Sequence, residues 1–280
     1  MPFLPTHFEL PTRSGAPAST LFLLHGIFGS GRNWRTFATD LAGALPSHRI
    51  VVVDLRNHGN SLGAPPPHTL AASANDLVAL GEHLGVTPDV VIGHSFGGKV
   101  ALAYARRAPS LRTLISLDSP PGPGSSAERV PHATEAGRVL LALRTLPMPT
   151  KSRADVAKAM EGLGVQAGVA AWMATNLRAR PDGQYAWHFD VEALAAMLDD
   201  YWAYDGWPQL ESPRDGLAIH FVRAANSDRF TSAEITRLDE LARRGTIASH
   251  VLGDAGHWLH VDNPKGLLAM LTSILEERAI

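Results

Sequence analysis

The chain has 280 residues, long enough to bury about three-quarters of its unfolded surface without covalent staples. It contains 0 cysteines, which excludes disulfides, thiolate nucleophiles, thiolate zinc sites and iron–sulfur clusters. Lys and Arg number 25 against 27 Asp and Glu, and a net charge of -2 provides no field to attract nucleic acid or anionic lipid.

From Leu21 onward, short β-branched runs alternate with amphipathic stretches, the pattern of a parallel sheet covered on both faces. Leu21–Leu24 reads as the first strand, followed by a helix near 33–45 and a second strand at Ile50–Val53. A helix near 69–84 places Leu70, Ala74, Leu77, Leu80 and Leu84 on one face. Next come a strand at Val90–Ile92, a helix near 97–107 and a strand at Leu114–Leu117. The rhythm then stops at Pro120, Pro121, Gly122, Pro123 and Gly124. Between about Pro120 and Pro208 the apolar stripes predict four helices with no strand between them. They include Val139–Leu143–Leu146, Val156–Met160–Leu163, Val169–Trp172–Met173 and Leu194–Leu198–Tyr201. The alternation resumes with a strand at Ala218–Val222 and a helix near 232–243, opened by the Thr231/Glu234 capping box. A strand at Ile247–Leu252 and a helix near 265–278 complete it. The reading is an α/β fold with a mostly parallel central sheet. Residues 1–119 and 209–280 form its core, and 120–208 a helical lid at the sheet's carboxyl edge, where open α/β sheets bind ligands.

The sharpest motif is Gly93-His94-Ser95-Phe96-Gly97, which directly follows the strand Val90–Ile92 and directly precedes a helix. A serine that must project from a tight strand-to-helix turn needs a strained backbone and small flanking residues, hence Gly93 and Gly97. The turn also puts Ser95 at a helix N-terminus, whose N–H groups and dipole favour an oxyanion. A glycine-rich turn with an incidental serine is the plainer alternative; the strand before and the helix after argue against it.

Three more segments stand out: His25-Gly26-Ile27-Phe28-Gly29-Ser30, Asp54 to Ser61, and Gly256-His257-Trp258. Together with the serine turn they resemble the α/β-hydrolase superfamily over nearly the whole chain. The resemblance implies that Ser95 is the nucleophile and His257 the base. It implies an oxyanion hole made by the backbone N–H groups of Phe96 and Ile27, with Phe28 as the alternative second donor. His25 and His58 then read as structural.

For the acid, two residues qualify. Asp118 lies in Leu117-Asp118-Ser119-Pro120-Pro121, and Asp228 follows Asn226-Ser227 after the later strand. The usual pattern favours the later position, where Ser227 occupies the expected slot and Asp228 falls one residue late. A smaller branch of bacterial and mitochondrial hydrolases carries its acid in an Asp-x-Ser-Pro turn, and Asn176-Leu177, Gly183 and Trp187 resemble that branch as well. This favours Asp118 and keeps Asp228 as the alternative. Phe28, Phe96 and Trp258 are candidates to touch the acyl group.

The expected activity is hydrolysis of carboxylic esters with small to medium acyl groups, through a Ser-His-Asp triad and an acyl-enzyme. Thioester, other acyl-transfer or C–C hydrolysis on the same triad is the alternative, and a non-catalytic ligand receptor a weaker one. No cofactor and no metal are expected. The expected partner is a small ester, with no nucleic acid and no membrane span, in a monomer or homodimer. The start, Met-Pro-Phe-Leu-Pro, lacks the basic and apolar regions of a secretory signal, so a cytoplasmic location is expected.

Overall fold

The computed structural model describes residues 3–12, 15, 17, 19–125 and 133–276. Its strands are β1 (His7–Leu10), β2 (Ser19–Leu24), β3 (His48–Val53), β4 (Val90–His94), β5 (Thr113–Leu117), β6 (Leu177–Ala179), β7 (Tyr185–Trp187), β8 (Ala218–Ala224) and β9 (Ala248–Leu252). Seven of them form one sheet in the order β1-β3-β2-β4-β5-β8-β9. All its pairings are parallel except that of β1, which runs antiparallel to β3 at the edge.

The described residues fall into two compact units. One comprises the chain up to Gly122 together with Tyr204 onward; the other is Pro123–Ala203. In the first unit, α1 (Gly31–Ala44), α2 (Leu70–Leu84) and α3 (Phe96–Ala105) cover the sheet before the insertion. Leu21, Leu23, Ile50, Val52, Ile92 and Ile115 join Trp34, Phe37 and Leu41 of α1 in a single apolar cluster. The intervening Phe22, Val51, Val91 and Leu114 are equally buried, and the Phe22 ring lies 6.4 Å from Tyr104 of α3. Strands buried on both faces need no polar alternation, which is why they read as continuous apolar runs. Each such side chain contributes about 1.5–3 kcal/mol through burial.

The second unit holds α4 (Glu135–Thr145), α5 (Arg153–Gly162), α6 (Ala167–Ala174) and α7 (Val191–Ala203). Thr134 and Ser152 cap α4 and α5 by accepting from the N–H groups of Gly137 and Asp155. Val139, Leu143, Val156, Met160, Met173, Leu194 and Leu198 are its buried interior. The expectation of helices alone needs correction. β6 and β7 form an antiparallel hairpin between α6 and α7, turning at Pro181-Asp182-Gly183 with Gly183 at φ +77°. Strands of three residues are too short to show a period of two.

Back in the first unit, α8 (Trp207–Glu211), α9 (Ser232–Arg243), α10 (Leu259–Asp262) and α11 (Pro264–Glu276) follow. The capping box that opens α9 has both arms, Thr231 Oγ1 accepting from Glu234 N–H at 3.2 Å and Glu234 Oε2 from Thr231 N–H at 2.9 Å. Leu267, Leu271 and Ile274 of α11 complete the cluster begun by α1. No helix among the described residues is long and apolar enough to cross a membrane.

Candidate active site

Neighbouring parallel strands end in register, and this brings distant parts of the sequence together. His94 pairs with Leu117, and Leu117 with Val222. One residue further on, Ser95 N–H donates to Leu117 O at 2.9 Å, and Asp118 N–H to Val222 O at 2.8 Å. Ser95 and Asp118 therefore leave adjacent strand ends at the same level of the sheet.

Ser95 stands at φ +51°, ψ −117°, a strained conformation for a residue with a side chain. The turn tolerates nothing larger than glycine on either side. A Cβ at Gly93 would lie 2.1 Å from the carbonyl oxygen of Gly97, and one at Gly97 would lie 2.6 Å from that of His25. Phe96 is the first residue of α3, the positively polarised end of that helix.

Asp118 is also at positive φ, +46°, and its side chain is fully buried. Such a carboxylate is stable only if donors surround it. Its Oδ1 accepts from Ala224 N–H at 3.0 Å, and its Oδ2 from the Ser227 hydroxyl at 2.5 Å and from His257 Nδ1–H at 2.8 Å. With the proton on Nδ1, His257 Nε2 is left as the basic nitrogen. The alternative acid is placed elsewhere: the Asp228 side chain is 82% exposed and pairs with Arg229 at 2.7 Å. Ser227, in the slot where the usual pattern places its acid, reaches Asp118.

Ser95 Oγ makes no hydrogen bond to His257 among the described residues. The two loops are joined one residue earlier, where His94 Nε2–H donates to the carbonyl oxygen of His257 at 2.7 Å. Contacts of a nucleophile with its base commonly tighten only when substrate is bound.

The loop after β2 runs along the serine turn. A Cβ at Gly26 would lie 3.3 Å from Ser95 Cβ. Gly29 N–H closes the loop on Gly26 O at 3.1 Å, and Phe28 adopts φ +61°. The N–H of Ile27 bonds to no described residue. Phe28 and Phe96 are buried, at 3% and 1% exposure, the Phe96 ring lying 6.1 Å from that of His58. Trp258 is half-buried, 6.3 Å from the His257 ring.

The sequence of residues 21–270 matches the Alpha/beta hydrolase family. The chain belongs to that family. Within it, the chain is 30% identical over 272 residues to the sn-1-specific diacylglycerol lipase ABHD11 of Mus musculus, covering 93% of this chain and 82% of the relative. It is 29% identical to the esterase YbfF of Escherichia coli K12, covering 92% and 94% of the two chains. A marine microorganism esterase shares the hydrolase fold with a TM-score of 0.79 at 21% identity, over 97% and 99% of the two chains. The chain is a carboxylesterase-type hydrolase.

In this alpha/beta hydrolase, burial lowers the pKa of two further histidines near the site, His25 and His260. His25 is fully buried, donates from Nδ1 to Gly26 O at 2.7 Å and accepts from Leu55 N–H at Nε2 at 3.0 Å. Burial pushes its pKa down to about 4, against the raising effect of the Gly26 carbonyl. His260 stacks on Trp34 at 3.9 Å; burial, then the charge of His257, bring it to about 4 as well. The loop after β3 is architectural. Asp54 accepts from Gly31 N–H at 2.7 Å and Asn60 N–H at 2.8 Å, while Arg56 and Asp76 form a buried pair at 2.7 Å.

The contacts of Asp262 and Lys99 were not foreseen from the sequence. Asp262 folds back to accept from Gly256 N–H at 2.9 Å, bracing the His257 loop without touching the imidazole. Lys99, 1% exposed, donates to the carbonyl oxygen of Gly122 at 2.6 Å and approaches that of Tyr204 at 3.5 Å. Those residues flank the insertion. Both acceptors are backbone carbonyls, which carry no residue-type signal.

Proposed function

We propose that the chain cleaves carboxylic esters through an acyl-enzyme, with Ser95, His257 and Asp118 as nucleophile, base and acid. The observation that carries this reading is the 2.8 Å contact between His257 Nδ1 and a fully buried carboxylate on the strand next to Ser95. A buried anion at Nδ1 fixes the tautomer and stabilises the imidazolium formed when Nε2 takes the Ser95 proton.

The Ser95 oxygen bonds to the carbonyl carbon, and the carbonyl oxygen becomes an oxyanion between the N–H groups of Phe96 and Ile27. Each such donor is worth about 3–4 kcal/mol of barrier. The tetrahedral intermediate collapses, His257 gives its proton to the departing alcohol, and the acyl group stays on Ser95. Water then attacks, losing its proton to His257, and the carboxylic acid leaves as Ser95 recovers its proton. Phe28, Phe96 and Trp258 flank the acyl position in this reading, and the names of the relatives support an ester as the substrate class.

The test is hydrolysis of p-nitrophenyl esters of increasing chain length by wild type and by Ser95→Ala. Release by wild type and none above background by the variant is the expected result. Equal, slow release by both would overturn the proposal.

A further inference from the structure

His257 lies on a loop, and its ring is held at Nδ1 by the hydrogen bond to Asp118. The second anchor is on the main chain. His94 Nε2–H donates to the carbonyl oxygen of His257 at 2.7 Å, and the two rings lie 4.8 Å apart. His94 immediately precedes Ser95, so this donor is one peptide bond from the group that the base must meet. The same imidazole borders the oxyanion loop, since a Cβ at Gly26 would lie 3.2 Å from His94 Nδ1. Its 2% exposure reflects a surround of Trp34 at 5.8 Å, His260 at 5.8 Å and Trp258 at 6.1 Å.

We infer that His94 is a positioning residue for acyl transfer, setting the distance and angle between His257 Nε2 and Ser95 Oγ through its bond to the His257 carbonyl. This rests on the triad proposed above. Asp118 holds one end of residue 257 and His94 the other, so the base is fixed at two points. One of those points belongs to the nucleophile's own turn. Protonated, His94 would set a second cation 4.8 Å from the His257 ring just when that ring carries the transferred proton. Burial first, then the charges of His257 and His260, hold its pKa well below 6.5 and keep the ring neutral.

The test compares His94→Phe, which keeps a ring and loses the donor, with His94→Gln, whose amide N–H reaches about as far as Nε2. Steady-state constants for p-nitrophenyl butyrate and thermal midpoints are measured for each. A displacement of about 1 Å at the base lowers the Phe variant's kcat by about 100-fold, with KM within about 2-fold of wild type. The Gln variant recovers kcat to within about 5-fold of wild type, a rescue that ring packing alone would not give. If the Phe variant does not fold, His94→Asn replaces it; its amide is too short to reach, and the same loss of kcat is expected. Unimpaired kcat in the variant lacking the bond overturns the inference, as does equal loss in the Gln variant. Labelling of Ser95 by a fluorophosphonate separates the two levels. Wild type that is neither active nor labelled overturns the triad itself, whereas labelled, active wild type with an indifferent residue 94 overturns only the role of His94.

Discussion

The carboxyl edge of the sheet and the helical insertion spend conformational energy differently. The loops leaving β2, β3, β4, β5 and β9 each carry one non-glycine residue at positive φ: Phe28, Asn57, Ser95, Asp118 and Asp254. In Pro123–Ala203 the positive-φ positions among the described residues are Gly164 and Gly183, where a missing Cβ removes the strain. Asn and Asp tolerate the left-handed region, but Ser95 at ψ −117° lies outside even that. Such residues cost about 1–3 kcal/mol each and persist only where their surroundings force them. Every strained residue but Asn57 lies in a loop that carries a proposed catalytic group. The insertion is built from caps, apolar stripes and glycine turns. Among the described residues, strain at non-glycine positions gathers on the edge that carries the proposed catalytic groups and is missing from the insertion.

The comparison breaks most decisively at Asp118. Asp118→Asn is expected to lower kcat on p-nitrophenyl esters by about 10⁴-fold, because the amide can no longer fix the His257 tautomer. Asp228→Asn, removing half of an exposed pair, should change kcat by less than about 2-fold. The reverse ranking would reassign the acid. The next largest effect is on folding: Gly93→Ala drives a Cβ to 2.1 Å from the Gly97 carbonyl oxygen, for a loss of about 3 kcal/mol or more. A urea midpoint equal to wild type would show that the serine turn is not the rigid element described.

How much of this was legible in the sequence depended on how local each constraint is. The serine turn was readable because strand, glycines and helix all lie within a few residues of Ser95. The capping box of α9 was readable for the same reason. The choice between Asp118 and Asp228 was not settled by residue type, since both follow strands. Side-chain direction separates them in the structure: the carboxylate after β5 reaches His257, whereas Asp228, four residues after β8, pairs with Arg229. The bond from His94 to residue 257 spans 163 positions and ends on a backbone carbonyl, so no residue type announced it. β1 escaped because a four-residue edge strand shows too little alternation. The β6–β7 hairpin left one signal, Pro181-Asp182-Gly183, which marks a turn and not what flanks it.

A pH titration of stability sharpens the contrast at smaller amplitude. His25 and His260 have folded-state pKa values of about 4 against 6.5 when unfolded. Between those values the unfolded chain binds the extra proton, so stability falls as pH drops from 6.5 toward 4. Each group accounts for about 2 kcal/mol of that fall by pH 5. The urea midpoint of wild type should therefore decline from pH 7 to pH 5. His260→Phe, which keeps an aromatic ring against Trp34, should decline visibly less. Parallel declines would show that His260 is not held neutral by its surroundings.

The smallest effect tests the other side of the comparison. Gly168 lies in α6, exposed, at ordinary negative φ, and a Cβ there would meet nothing within 4 Å. Gly168→Ala adds no contact to the folded chain. It reduces the conformational freedom of the unfolded one, which is worth about 0.5–1 kcal/mol of added stability. The same substitution chemistry is therefore expected to act with opposite signs in the two regions, damaging at Gly93 and stabilising at Gly168. Ester hydrolysis by Gly168→Ala should match wild type, because the change touches neither a strained loop nor a partner of His257. Destabilisation would mean that the insertion also places glycine under constraint, and the division between a strained edge and a relaxed insertion would fail.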